Sequence, residues 1–552
     1  MIDYEDNFID LGENLKECLN CQEKIKKSDF FTKYGICPFC NFHYSIDYKK
    51  RLEVVVDQNS FNEFNKNLSV KKPKNLEINQ KYKKNVKSSR ERTGLEEAAI
   101  TGTATIGGLK TVIILLDFGF LGGSMGIIVG EKISKAFSYA RKNSLPVVSV
   151  ISSGGKRVQE GAFSLLQMIK TINSSESLNE KKLPHIALFT NPSGGQVYSS
   201  FATSADIKFA EPGAIMGMFT LSEINKSSSN KNIDITSENF FNKGLIDKII
   251  SRNTIKKELS NLLELLTSKN KIPKKIDLEL PNVKLSSKPK NIKIDKSRPS
   301  GNEYIKNVFE DFFLISKNNE ENLSILGVAK IGSQTVITVV QNFQRLNNSI
   351  TGELNNYDFN IIFKAIELSK KYDLPIIFLV DNKGINKTFE NEISGIANNL
   401  SKCINILSNH EHVLISIITG ETTTEGALPY FISDKVLMLE NSIFQTSTDN
   451  ENIKINQMSS LECLETGLID NIVNEPPLGA SKGPEDMARI IKINIINELS
   501  GLNYVSKRKL TRNRVRKFQE IDFDNKKLIE TVADEINIWR NVLKAGYKAF
   551  KN

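Results

Sequence analysis

No stretch of the 552-residue chain approaches the roughly 18 uninterrupted apolar residues of a membrane span, so no spanning helix is expected. The chain opens Met1-Ile-Asp-Tyr-Glu-Asp, which is acidic and lacks an apolar signal core; a cytoplasmic location is expected. Histidine is scarce. His43, His185, His410 and His412 are the whole set, and none stands in metal-ligand spacing or within a nucleophile motif. His410-x-His412, on a predicted loop before a strand, reads as surface. A phosphate-loop lysine motif and a Gly-x-Ser-x-Gly elbow are both missing. What is left is chemistry carried out by main-chain donors.

Two glycine pairs suit that chemistry. Gly154-Gly155 ends the apolar run Leu145–Ser153, and Gly194-Gly195 ends Ile186–Ser193; each opens a helix-like segment. Glycine lets ligand atoms approach the backbone, and the first turn of a helix offers unpaired N–H groups. Such a site can hold the carbonyl of a thioester while its α-carbon becomes an enolate.

Cysteine is sparse but patterned. Four of the six cysteines form Cys18-x2-Cys21-x15-Cys37-x2-Cys40, the spacing of a tetrahedral zinc ribbon in which each knuckle supplies two thiolates. Four thiolates leave no open position, so a structural Zn2+ is expected. Cys403 and Cys463 lie in apolar contexts and read as core. The net charge of +10 is spread through a Lys- and Asn-rich sequence. It reads as a solvated surface, or as one suited to a phosphate-rich substrate, rather than as a nucleic-acid stripe.

From about residue 98, β-branched runs alternate with helical segments, which predicts an α/β fold of stacked βαβ units. The order then repeats, shifted by roughly 225 residues. Gly102-Thr-Ala-Thr-Ile-Gly-Gly is echoed by Gly327-Val-Ala-Lys-Ile-Gly-Ser, and Lys135–Val148 by Lys364–Ile377. Gly244-Leu-Ile-Asp-Lys-Ile-Ile is echoed by Gly467-Leu-Ile-Asp-Asn-Ile-Val. The expected organisation is a ribbon over 1–50, a first domain over 51–270, a charged, proline-bearing linker over 271–300, and a similar second domain over 301–552.

The ribbon, Arg92-Thr-Gly94, Phe120-Leu-Gly-Gly-Ser-Met-Gly126, Ser153-Gly-Gly-Lys-Arg-Val-Gln-Glu-Gly161 and Ala210-Glu-Pro212 resemble the β subunit of bacterial acetyl-CoA carboxylase carboxyltransferase. The second half, from Arg298-Pro299 through Asp434–Asn441 and Pro477–Met487, resembles the α subunit. The resemblance therefore spans nearly the whole chain, as a β–α fusion. It implies two crotonase-type ββα superhelix domains in tandem behind the ribbon, and transfer of a carboxyl group from carboxybiotin on a carrier protein to acetyl-CoA. It places the acyl oxyanion hole at Gly194-Gly195, with Gly195-Gln196 as the alternative register. Ser153, Gly154, Gly155 and Arg157 would line the coenzyme A side.

The second half departs from the family. Gly420-Glu-Thr-Thr-Thr-Glu-Gly-Ala-Leu428 stands where the family has a glycine-rich run, so the biotin-side pair becomes Glu425-Gly426. A carboxylate there opposes a developing negative charge unless it points away. The loop Asp381–Thr388 and the segment Gln341–Ser349 also differ from the family pattern. Two further readings follow: a biotin-independent decarboxylase of a malonyl thioester on coenzyme A or acyl carrier protein, and a non-catalytic scaffold or nucleic-acid binder. Expected partners are a biotin carboxyl carrier protein and biotin carboxylase, or an acyl carrier protein, with the chain itself a homodimer.

Overall fold

The computed structural model describes residues 17–25, 28–68, 79–219, 235–274, 276, 278–279, 294–316, 322–345, 352–446 and 457–519. Two compact units divide the chain: residues 1–270 with 311–319 and 325–330, and residues 271–310 with 320–324 and 331–552. No helix among the described residues is long and apolar enough to cross a membrane.

The first sheet is built from β1 (Asn62–Phe64), β2 (Ala99–Ile106), β3 (Leu109–Leu116), β4 (Val147–Ser153), β5 (His185–Gly194), β6 (Ile207–Ala210), β7 (Met216–Gly217) and β8 (Lys248–Ile249). Its order is β1-β2-β3-β4-β5-β6-β8, with β7 joined to β5. The pairs from β3 through β8 are parallel. Strands covered on both faces have no solvent side, which is why β4 and β5 read as near-continuous apolar runs rather than as alternations.

The second sheet uses β9 (Asp311–Leu314), β10 (Ser324–Ile331), β11 (Gln334–Gln341), β12 (Ile376–Val380), β13 (Leu414–Ile418), β15 (Lys435–Leu439) and β18 (Asn471–Val473), in that spatial order. Three short strands, β14 (Glu421–Thr423), β16 (Ile443–Gln445) and β17 (Gln457–Ser459), form a small sheet of their own. The repeated sequence is thus a repeated topology.

The repeat extends to capping. The helices Ile127–Asn143 and Asn356–Tyr372 each run 17 residues and stop at a left-handed residue, Ser144 (φ +54°) or Asp373 (φ +56°), just before Leu-Pro. Asp206 accepts from the His185 amide and Asp434 from the Leu414 amide, both at 2.8 Å. Asp247 and Asp470 do the same for Lys208 and Val436, at 2.7 and 2.8 Å. These carboxylates pin the start of each parallel strand, and with it the register that delivers the strand's far end to the site.

The middle of the expected linker, 280–293, lies outside the described residues. Its beginning is docked within the second unit. Ile272 is 1% exposed, its amide donates to Gln334 Oε1 at 3.0 Å, and its carbonyl accepts from the Tyr504 hydroxyl at 3.2 Å. Ser500 on the helix Pro484–Leu502 donates to the Ile276 carbonyl at 3.0 Å.

The histidine pair differs from expectation. His410 is fully buried, with Nε2 2.9 Å from Ser369 Oγ, and His412 is 9% exposed. The cause is Arg514 on the helix Lys507–Gln519, which donates to the carbonyls of both histidines and pairs with Asp434 at 2.6 Å. Cys403 and Cys463 are fully buried, as the sequence predicts.

Candidate active site and metal centre

Each cysteine knuckle of the ribbon closes with a left-handed residue: Gln22 (φ +61°) donates to the Cys18 carbonyl, and Asn41 (φ +58°) to that of Cys37. The four sulfurs of Cys18, Cys21, Cys37 and Cys40 lie within 4.8 Å of one another. Cys18 and Cys40 are 3.7 Å apart, and Cys21 and Cys37 are 3.9 Å apart. An ion bound tetrahedrally at about 2.3 Å from thiolates has sulfur–sulfur edges of about 3.8 Å, so the set fits a tetrahedral metal. The Tyr44 hydroxyl donates to Cys18 Sγ at 3.2 Å, and Asn20 Nδ2 to Cys40 Sγ at 3.5 Å, orienting the ligands from outside.

The ribbon is locked to the rest of its unit by buried charge. Glu211, at the end of β6, receives Arg252 Nη2 at 2.8 Å and also pairs with Arg51. Arg252 reaches on to the Tyr34 carbonyl at 2.6 Å, and its amide donates to His43 Nε2 at 3.2 Å. Burial opposes the Glu211 charge, but the two guanidinium groups hold its carboxyl well below the ordinary range. Burial lowers His43 to about 4.

The two glycine pairs meet. A Cβ on Gly195 (φ +62°) would lie 2.6 Å from Gly155 Cα, so no side chain fits there without a shift of backbone. Gly195 begins a short helical turn, Gly195–Val197, whose first amides have no partner within the turn. Among the described residues no other group accepts from the amides of Gly195 and Gln196. The amides of Gly154 and Gly155 are engaged, with the Gly122 carbonyl at 2.8 Å and Ser153 Oγ at 3.1 Å. The Gly155 carbonyl accepts from Met125, whose own carbonyl accepts from Arg157, both at 2.9 Å.

The second unit repeats this turn nearly bond for bond. Lys383 donates to Gly352, Gly384 to Asn382 Oδ1, Leu354 to Gly384 and Asn386 to Leu354, at 2.7, 3.0, 2.8 and 2.9 Å. A Cβ on Gly426 would lie 2.7 Å from Gly384 Cα. Gly384 (φ +97°) is therefore the counterpart of Gly155, and Gly426 that of Gly195.

Comparison with known proteins gives this arrangement a family. The carboxyl transferase subunits beta/alpha of acetyl-coenzyme A carboxylase from Clostridium tetani are 32% identical over 541 residues, covering 92% of this chain and 93% of that protein. The beta subunit from Clostridioides difficile is 38% identical over 249 residues, covering 45% of this chain and 86% of that protein. The chain belongs to the acetyl-CoA carboxylase carboxyltransferase family. Residues 283–522 match the acetyl co-enzyme A carboxylase carboxyltransferase-like family. The transcarboxylase 12S crystal structure, with hydrolysed methylmalonyl-coenzyme A bound, superposes with a TM-score of 0.64 at 17% identity, covering 82% of this chain and 89% of that one; it shows the fold.

Within the carboxyltransferase frame, the glycine motif of the first half is a set of close approaches. A Cβ on Gly123 would lie 2.1 Å from the Ser152 carbonyl oxygen, and one on Gly126 would lie 2.6 Å from Glu160 Oε1. Glu160 accepts from the Ile127 amide and the Tyr82 hydroxyl, both at 2.6 Å, placing a carboxylate at the N-terminus of the helix Ile127–Asn143.

Arg157 is corrected by the structure. The resemblance puts it on the coenzyme A side, but it is 1% exposed and bound bidentately to Glu97 at 2.6 and 2.9 Å, with a further bond to the Ser124 carbonyl. Burial works against its charge, yet Glu97 raises its pKa. Its donors are spent inside the fold, where they brace the turn at Gly154-Gly155. Ser153 is likewise buried and serves the Gly155 amide.

Glu425 points its carboxylate toward Lys387 Nζ, 3.1 Å away. Its own amide, and then Lys387, hold its carboxyl below the ordinary range. Gly384 was not among the residues singled out from the sequence. Aligning Asn382-Lys383-Gly384 with Ser153-Gly154-Gly155 through the shared Leu-Pro would have found it.

Proposed function

We propose that the protein is the carboxyltransferase component of an acetyl-CoA carboxylase, moving a carboxyl group from carboxybiotin to acetyl-CoA or a closely related acyl thioester. The acyl turn carries this reading: among the described residues no group accepts from the Gly195 and Gln196 amides, which stand at a glycine-only contact. A thioester oxygen held there keeps its hydrogen bonds as the α-proton departs and negative charge builds on it, so the developing enolate is favoured over the ground state. The matching turn at Gly384 and Gly426 is assigned to the carboxyl donor, which a biotin carboxyl carrier protein delivers after a biotin carboxylase has charged it.

The ion held by Cys18, Cys21, Cys37 and Cys40 is assigned as zinc with a structural role, since all four positions are taken by thiolates. We further assign the protein to the cytoplasm, where four metal-binding thiolates and the reduced Cys403 and Cys463 would persist. The assembly is proposed to be a dimer; Leu165, Leu166 and Ile169 stand 46, 53 and 60% exposed along one helix, an apolar row suited to burial.

The test is a mass-spectrometric assay of malonyl-CoA with and without biocytin, on protein of measured zinc content. Acetyl-CoA formed only with biocytin supports the carboxyltransferase. Acetyl-CoA formed equally without it would favour the decarboxylase, a reading to which the carboxylate of Glu425 lends a specific motive. Untouched malonyl-CoA would sink both.

A further inference from the structure

The second glycine turn carries an ion pair that the first lacks, in addition to Lys383 where the first has Gly154. Through the matched hydrogen bonds and glycine contacts, Val158 and Gly194 of the first unit correspond to Lys387 and Glu425 of the second. Lys387 Nζ lies 3.1 Å from each Glu425 carboxylate oxygen. The pair bridges the two loops whose glycines, Gly384 and Gly426, touch. Its side chains are 64 and 45% exposed, and an ion pair so open to water is weak and readily exchanged. The residue before it, Thr424, has φ +44°, a strained value for a β-branched side chain. Its counterpart, Ser193, lies in the extended strand β5. Glu425 Oε2 is itself buried, and Lys387 Nζ is the charge that stands against it.

We propose that Glu425 and Lys387 form an exchangeable latch at the second turn, in which Glu425 is a resident anion displaced by the carboxylate of an incoming carboxylated urea, with Lys387 taking that carboxylate as its new partner. The two residues then determine specificity for the charged ligand over its uncharged parent. Swinging out breaks only the solvent-open pair with Lys387 and releases Oε2, which is buried without a hydrogen bond where it now lies. Lys387 is the cation freed when Glu425 leaves, and so the one placed to receive the incoming carboxylate. At these two positions the first turn has Val158 and Gly194, so it holds no such ion pair; its own exposed cation is Lys156, where the second turn has Ile385. The inference rests on the carboxyl-transfer reading of this site.

The experiment measures biocytin-dependent conversion of malonyl-CoA to acetyl-CoA by the full chain and by its E425Q, K387A, K387A/E425Q and E425G variants, with circular dichroism as the control for folding. Removing the resident charge in E425Q should raise kcat/KM for biocytin at least threefold. K387A should lower it at least tenfold, and the double variant should fall between K387A and the parent. KM for malonyl-CoA should stay within twofold throughout. An active parent whose E425Q and K387A variants both remain within twofold of it overturns the latch alone, as does a double variant no better than K387A. Where the parent is inactive, exchange gained by E425G supports the latch. E425G equally inactive overturns the latch and removes the carboxyl-transfer reading with it.

Discussion

An alanine at position 195 would place its Cβ 2.6 Å from Gly155 Cα on a backbone with φ +62°, so it must push the two loops apart. Gly195→Ala is expected to lower carboxyl transfer by about 100-fold, the scale of losing one oxyanion donor. Steady-state assay with malonyl-CoA and biocytin measures it, and unchanged far-UV circular dichroism separates it from unfolding. Arg157→Gln acts through stability instead, because Glu97 is then buried without its partner. A loss of about 3 kcal/mol is expected in urea unfolding. Affinity for coenzyme A, measured on the folded variant by calorimetry, should stay within twofold; a large loss there would return Arg157 to the ligand.

Two elements bring buried histidines that stay neutral. Burial pushes His410 down to about 2 and His43 to about 4, while Asp117, also buried, is pushed up to about 6. A histidine whose folded pKa is depressed favours folding above its unfolded value near 6.5 and loses that advantage as pH falls toward the folded value. Asp117 has the opposite sign between about 4 and 6, since the folded state holds its proton longer. The histidines thus lose stability from about pH 6.5 downward, opposed by Asp117 and by Asp358, Glu421 and Glu498, whose carboxyls burial also raises. Thermal unfolding across that range checks it, and His410→Gln should flatten the slope. The segment entering the second unit gives another element-scale prediction. Ile272→Ala should cost about 2–3 kcal/mol in chemical unfolding, although the residue sits in a stretch that reads as linker.

That stretch shows why some of the structure was hidden in the sequence. Repeated Leu-Pro, glycine and Asp signals are local, and they disclosed the sheets, the duplicated order and the paired glycine turns. The docking of Ile272 depends on Gln334 and Tyr504, the burial of His410 on Arg514, and the burial of Arg157 on Glu97. Each partner lies 60 or more residues away in sequence. Gly384 had a local signal, but without a second glycine beside it the turn looked like an ordinary loop.

At the scale of the whole molecule, division into two compact units predicts that unfolding is not two-state. Scanning calorimetry should resolve two transitions. Removing the ribbon's metal with a chelator should lower only the one belonging to the first unit, because Glu211, Arg51 and Arg252 tie ribbon and sheet together there. Metal analysis of the untreated protein should return one zinc per chain. A chelator that shifts both transitions equally would contradict this assignment.

The touching glycines leave a mark that genetics can read. In a saturation library scored for growth on the enzyme's product, positions 155, 195, 384 and 426 should form four blank columns, tolerating no missense codon. Positions 194 and 425, one step upstream in each half, should behave unlike one another, since one carries a side chain where its twin carries none. A map of that shape would trace the duplicated ancestor of this gene without reference to any other sequence.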